Sequence, residues 1–162
     1  MVTIGIDPGT ANTGFGVVRS EKGRMRALDG GVISTRPDAP LEERLLAIHS
    51  RVTELIVEHT PGAMAIEDLY FGRNVSSALA VGQARGAVIL AAAQAGIPCR
   101  SYTPQQIKAA VCGSGRADKS QVAAMVQRLL SLTELPTPDH ASDALAAAIC
   151  HCAQVPALEA IR

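Results

Sequence analysis

Residues 1–18 read MVTIGIDPGTANTGFGVV. Val2, Ile4 and Ile6 describe a buried strand that runs straight into Asp7. Pro8-Gly9 then turns the chain, and a second apolar segment follows through Phe15, Val17 and Val18. The stretch predicts two strands, over 2–7 and 13–19, joined by a tight turn. A carboxylate at the end of a buried strand suits two chemistries. One holds a metal ion against a nucleic-acid backbone, and the other holds a metal ion against ATP.

Outward from this pair, residues 25–35 (MRALDGGVIST) predict a third strand, with Gly30-Gly31 marking a bulge or bend. Short links between the three strands suggest an antiparallel meander. The period then changes. In PLEERLLAIHSRVTELIVEH (40–59) the apolar residues recur at helical spacing, with Pro40 suited to the first turn and Glu42 and Glu43 to the positive end of the dipole. AMAIE (63–67) is a short buried strand that ends in Glu67. The Ala- and Gly-rich run 76–96 predicts a thin helix, capped by Ser76 or Ser77 and closed by Gly96. IPCRSYT (97–103) is a fifth strand, and a short helix runs from Pro104 to Val111. Asp118 caps a helix to about Leu132, and Thr137-Pro138 open a last one. This order predicts an α/β protein: a five-stranded mixed sheet with helices on both faces, and a single domain over residues 1–162.

An apolar fraction of 48% argues against disorder, and no apolar run is long enough to span a bilayer. The first residues lack a basic n-region and an apolar h-region, so a cytoplasmic protein is expected. The cysteines (Cys99, Cys112, Cys150 and Cys152) form no CxxC and are expected as reduced, mostly buried thiols. Net charge is zero, which argues against an indiscriminate polycation. Its distribution is uneven. Residues 73–128 carry seven basic residues and one acid, a net of +6, against −6 for the remainder. Such polarity could set a basic surface beside an acidic site.

Asp7 and Glu67 both end apolar segments, where layered α/β domains bind ligands. His140 and Asp143, spaced i, i+3, share one face of the last helix. If that helix packs on the central strands, Asp7, Glu67, His140 and Asp143 converge. Such an oxygen-rich set suits Mg²⁺ or Mn²⁺, the imidazole being compatible with Mn²⁺. Two such ions could activate water and stabilise the leaving oxygen of a phosphodiester hydrolysis. Plainer roles exist for each: a turn cap for Asp7, a solvated strand end for Glu67, a first helical turn for the other two. Neighbouring Asp68 and Asp139 point elsewhere.

GIDPGTANTGFGVV, AIEDLYFGRN, GQARGA, KSQV and DHASDALAAAI together resemble the RuvC family of bacterial Holliday junction resolvases, in order and spacing and over nearly the whole chain. The resemblance implies an RNase H-like fold, a homodimer, and Mg²⁺-dependent symmetric nicking of four-way DNA junctions in recombination and repair. A RuvA–RuvB branch-migration complex is the implied partner. The family's catalytic metal ligands fall on Asp7, Glu67, His140 and Asp143. Some members carry aspartate where this chain has His140, which leaves that residue either ligating metal or shuttling a proton. The family places an aromatic at the open junction centre, and Tyr70 matches it, with Phe71 next. Lys108 and Lys119 match basic residues that the family uses near the scissile phosphate. Arg73 and Arg116 join them as DNA contacts from their loop positions alone. A sugar-kinase-like ATPase also opens on such an aspartate, but 162 residues supply only one of its two lobes. A junction-binding module without chemistry is a third reading, which four intact ligand candidates disfavour.

Overall fold

The computed structural model describes residues 1–68 and 75–159, the side chains of 75–77 and 156–159 excepted. Five strands form one sheet in the order β3-β2-β1-β4-β5. They are β1 (Val2–Asp7), β2 (Asn12–Glu21), β3 (Arg24–Ser34), β4 (Ala63–Glu67) and β5 (Cys99–Tyr102). The first three are antiparallel neighbours, and β1, β4 and β5 run parallel. The mixed sheet and the strand order along the chain are as the sequence predicts.

Alternation sorts the side chains. Ile4, Ile6, Phe15, Val17, Met64 and Ile66 face α1 (Leu41–His59) and α2 (Val75–Gln94) in one core cluster. Ala65, Val18 and Tyr102 face the second cluster, built with α3 (Pro104–Cys112), α4 (Lys119–Leu130) and α5 (Asp139–Glu159). Each fully buried Ile contributes on the order of 1.5–3 kcal/mol. Asp7 and Glu67 follow Ile6 and Ile66 in register, so the pleat turns both towards the α5 face.

Glycines decide how close α5 comes. Gly5 pairs with Gly16, and Gly16 with Gly30, across three adjacent strands. A Cβ on Gly5 would lie 2.0 Å from the Ala144 carbonyl oxygen, and one on Gly14 would lie 2.0 Å from that of His140. The helix therefore rests on bare strand backbone, helped by its own Ala141, Ala144 and Ala148. Gly14 is also the cross-strand partner of Asp7, so this contact sets His140 beside Asp7. Gly14→Ala is expected to cost about 1–3 kcal/mol by overpacking, read as a lower Tm. It is also expected to move His140 away from Asp7, read as a shift of the His140 ring resonances. Unchanged resonances would show that the seam does not set His140 beside Asp7.

Three local expectations shift. The β-bulge lies at Val17/Val18, where Leu28 is the unpaired residue of β3, and not at Gly30-Gly31. That glycine pair instead makes room, Gly30 beside Leu145 and Gly31 against the Phe15 ring. Helix α2 begins at Val75, so Ser76 and Ser77 fall inside its first turn. Of the cysteines, Cys150 and Cys152 are buried but Cys99 is exposed, on an edge strand.

Candidate active site

The parallel pairing of β1 and β4 sets Asp7 and Glu67 side by side at the ends of two adjacent strands. Helix α5 crosses above them. His140 Nδ1 and Asp7 Oδ2 lie 2.7 Å apart, a hydrogen bond between residues 133 apart in sequence. The Asp7 side chain is 19% exposed and that of His140 46%. Asp143, one turn further on, approaches Lys119 Nζ at 3.5 Å, and Asp139 takes the same ammonium at 3.7 Å. The four residues that the sequence singles out are thus gathered at one place.

The electrostatics are those of crowded acids. Burial pushes the Asp7 carboxyl above its ordinary value, the His140 hydrogen bond works against this, and the Asp143 charge adds to it. Glu67 is pushed up to about 7, first by burial and then by the charges of Asp7 and Asp143. Lys119 and Lys108 offset part of this.

A cleft of about 220 Å³ is lined by Glu67, Lys108, Lys119, Val122 and Asp143, among others. Lys119 reaches it because Asp118 ends the preceding loop. The Asp118 carboxylate accepts from the Gln121 backbone N–H at 2.9 Å, and the Gln121 side chain returns the bond to the Asp118 N–H. The same box forms between Thr103 and Gln106 and fixes the start of α3, which carries Lys108. Asp118 is therefore a cap and not a site acid.

Buried carboxylates that raise one another's affinity for protons, with one imidazole beside them, are a donor set suited to a hard divalent cation. The residues fit such an ion in kind. No three of the four bring their ligand atoms within 4.8 Å of one another. Among the described residues that spacing is met by Asp29, Glu58 and His59. His59 there ends α1, its Nε2 lying 3.2 Å from Asp29 Oδ2.

Other expected residues separate. Arg116 does not line this cleft. It is exposed and shares a different groove, about 560 Å³, with Arg128. Tyr70, Phe71 and Arg73 lie outside the described residues. Asp68 approaches Arg85 at 3.5 Å, consistent with its being no part of the carboxylate group. Arg85 itself was not expected. Its guanidinium donates to the Glu67 carbonyl at 2.9 Å and to Ser101 Oγ. The signal available in the sequence was its solitude, as the one charged residue of an otherwise uncharged helix.

A sheet of this order, with carboxylates at the adjoining ends of β1 and β4 under a C-terminal helix, is the RNase H-like frame of a metal-dependent nuclease. The family model of the crossover junction endodeoxyribonuclease RuvC matches residues 3–151. Proteins of that name from Roseiflexus sp. and Pelotomaculum thermopropionicum are 50% and 49% identical, covering 98% and 93% of this chain and 95% and 92% of their own. The structure of Thermus thermophilus RuvC in complex with Holliday junction substrate is 44% identical, with a TM-score of 0.92 over 96% of this chain and 94% of that one. The chain belongs to the RuvC family of crossover junction endodeoxyribonucleases. That membership decides for a nuclease and against an ATPase. Among the described residues, no helix is long and apolar enough to cross a membrane.

Proposed function

We propose that the chain, as a homodimer in the cytoplasm, cuts four-way DNA junctions by paired symmetric nicks in recombination and repair. In this reading Asp7, Glu67 and Asp143 hold two Mg²⁺ ions, which Mn²⁺ can replace. The observation that carries it is the gathering of Asp7, Glu67 and Asp143 about one cleft, where burial first and the two neighbouring carboxylates second push the Glu67 carboxyl up to about 7. Such an arrangement is unfavourable until a cation joins it. Bound there, a divalent ion lowers the pKa of a water and offsets charge that develops on the phosphate.

The chain's own residues do the rest. With Asp7 ionised, His140 Nδ1–H donates to its carboxylate and leaves Nε2 with a lone pair, on a ring that is half exposed. We assign His140 to accept the proton of the attacking water, oriented by Asp7, and not to ligate metal. Lys119 and Lys108, on the cleft wall, bind the phosphate. In this reading Arg73, Arg116 and an aromatic from Tyr70 or Phe71 contact the DNA. Docking to RuvA–RuvB rests on family membership.

Two opposed nicks need two sites related by a two-fold axis. Helix α2 suits the interface. Leu79, Gly86, Ile89, Leu90 and Ala93 are exposed, along with part of Gly82, at a helical spacing that leaves an apolar stripe uncovered among the described residues. Nothing lies within 4 Å of where a Gly86 Cβ would be, so a side chain there is tolerated by the protomer. Gly86→Glu is expected to weaken the dimer on the order of 10²-fold, as a buried unpaired charge does. Light scattering should then report half the mass, and paired nicks should become single ones. A dimer of unchanged strength would remove α2 from the interface.

The test of the reading is a mobile four-way junction incubated in Mg²⁺, Mn²⁺ or Ca²⁺. Ligatable paired nicks in Mg²⁺ or Mn²⁺, with binding alone in Ca²⁺, support it. Equal cutting of linear duplex, or cutting in EDTA, rejects it.

A further inference from the structure

The end of β4 carries a carboxylate whose position matters, yet its ladder stops there. Pairing with β1 reaches Ile66, and pairing with β5 ends at Glu67↔Tyr102. The next residue of β5's chain but one is Pro104, which has no N–H to extend the ladder. The peptide that follows Glu67 is still tied to β5 through its N–H, Asp68 donating to the Tyr102 carbonyl at 2.8 Å, but its carbonyl, that of Glu67, is held by something other than the strand ladder.

Arg85 is that something. Its side chain is 15% exposed and rises from the buried side of α2. Nη1 donates to the Glu67 carbonyl at 2.9 Å, Nη2 donates to Ser101 Oγ on β5, and Nη2 lies 3.5 Å from Asp68 Oδ1. One planar cation thus joins the last residue of β4, the acid after it, and the neighbouring strand. A guanidinium presents its donors in a rigid planar fork, which the compact ammonium of a lysine on the same helix does not reproduce. We infer that Arg85 is a positioning residue for Glu67. By gripping the Glu67 carbonyl it fixes the backbone from which the carboxylate projects.

The helix that carries Arg85 also carries the apolar stripe assigned above to the dimer. Four residues separate Ile89 from Arg85, so the grip and the interface share one rigid rod. This inference rests on the proposed metal role of Glu67.

The test uses the full chain with Arg85→Lys, Arg85→Met, Ser101→Ala and the double variant Arg85→Met/Asp68→Asn. Mn²⁺ is titrated by calorimetry without DNA, and junction cleavage is titrated with Mg²⁺. Arg85→Lys and Arg85→Met are expected to raise the Mn²⁺ dissociation constant and the Mg²⁺ midpoint of cleavage about tenfold. Junction binding in Ca²⁺ and dimer mass should stay as in wild type. Ser101→Ala, which leaves the carbonyl grip in place, should raise both by about threefold and guards against misfolding of the others. The double variant should remain weak in Mn²⁺. If Arg85→Lys binds Mn²⁺ like wild type, or if Asp68→Asn restores Arg85→Met fully, the carbonyl grip has no positioning role. Failure of wild type itself to bind Mn²⁺ would instead reject the metal site, and so separates the two ideas.

Discussion

Asp7→Asn is expected to lower junction cleavage by about 10³-fold or more while leaving junction binding intact. The loss follows from the position of Asp7. It is flanked by Glu67 in register, by Asp143 in charge and by His140 in a 2.7 Å hydrogen bond, so every proposed part of the chemistry passes through it. Asparagine keeps the size and one acceptor oxygen, so the His140 hydrogen bond survives. It removes the anion that would hold the cation. A loss of about 4 kcal/mol of transition-state stabilisation corresponds to that factor. Binding in Ca²⁺ should hold or tighten, since a negative charge facing the phosphate has gone. Cleavage and mobility-shift assays on one preparation check this. If binding disappears with cleavage in a folded variant, Asp7 supports the DNA surface and not the metal.

Glu67→Gln should also end cleavage, but it should make the metal-free protein more stable. The Glu67 carboxyl titrates at about 7 when folded, against an ordinary value of 4.5. A carboxyl raised on folding favours the folded state while it stays protonated. Below pH 4.5 both states are protonated and Glu67 carries no electrostatic penalty. Between pH 4.5 and about 7 the unfolded chain ionises and the folded one resists, so stability falls as pH rises. Above about 7 the penalty levels at about 3 kcal/mol. Glutamine removes it, which corresponds to a rise in Tm of roughly 5–10 °C at pH 8 in EDTA. The advantage should shrink towards pH 4.5. Mg²⁺ at pH 8 should raise the Tm of wild type more than that of the variant. Glutamine that destabilises the EDTA-treated protein at pH 8 would mean that the carboxylates do not repel one another there.

The candidate site was legible in the sequence because its members announce themselves locally. Asp7 and Glu67 each close an apolar run, and His140 and Asp143 sit one turn apart on a helix. What no local pattern contains is the distance between these places. It depends on Gly5, Gly14 and Gly16, which in the sequence look like ordinary breaks in a strand and in the fold are the contact surface for α5. Arg116 illustrates the opposite error. Its loop is close to Lys119 in sequence, but the turn into α4 sends the two in different directions, one into the cleft and one into a separate groove. The segregated charge of residues 73–128 likewise dissolves into separate tasks: Arg85 is tied to a strand end, while Lys108 and Lys119 line the acidic cleft. Capping was legible where it used side chains of fixed reach, as at Asp118, and less so at α2, which begins at Val75, ahead of Ser76 and Ser77.

The seating of α5 on strand backbone also bears on when the molecule becomes able to cut. Asp7 belongs to the first strand formed from the chain and His140 to the last helix, so their pairing is among the most distant in sequence that the fold contains. Contacts of that separation close late, after local structure has formed. Until α5 docks, the three antiparallel strands can exist with Asp7 alone at their edge, a single carboxylate without the companions that make it reactive. If Asp7 and His140 act together as proposed, the capacity to break a strand arrives only with completion of the fold.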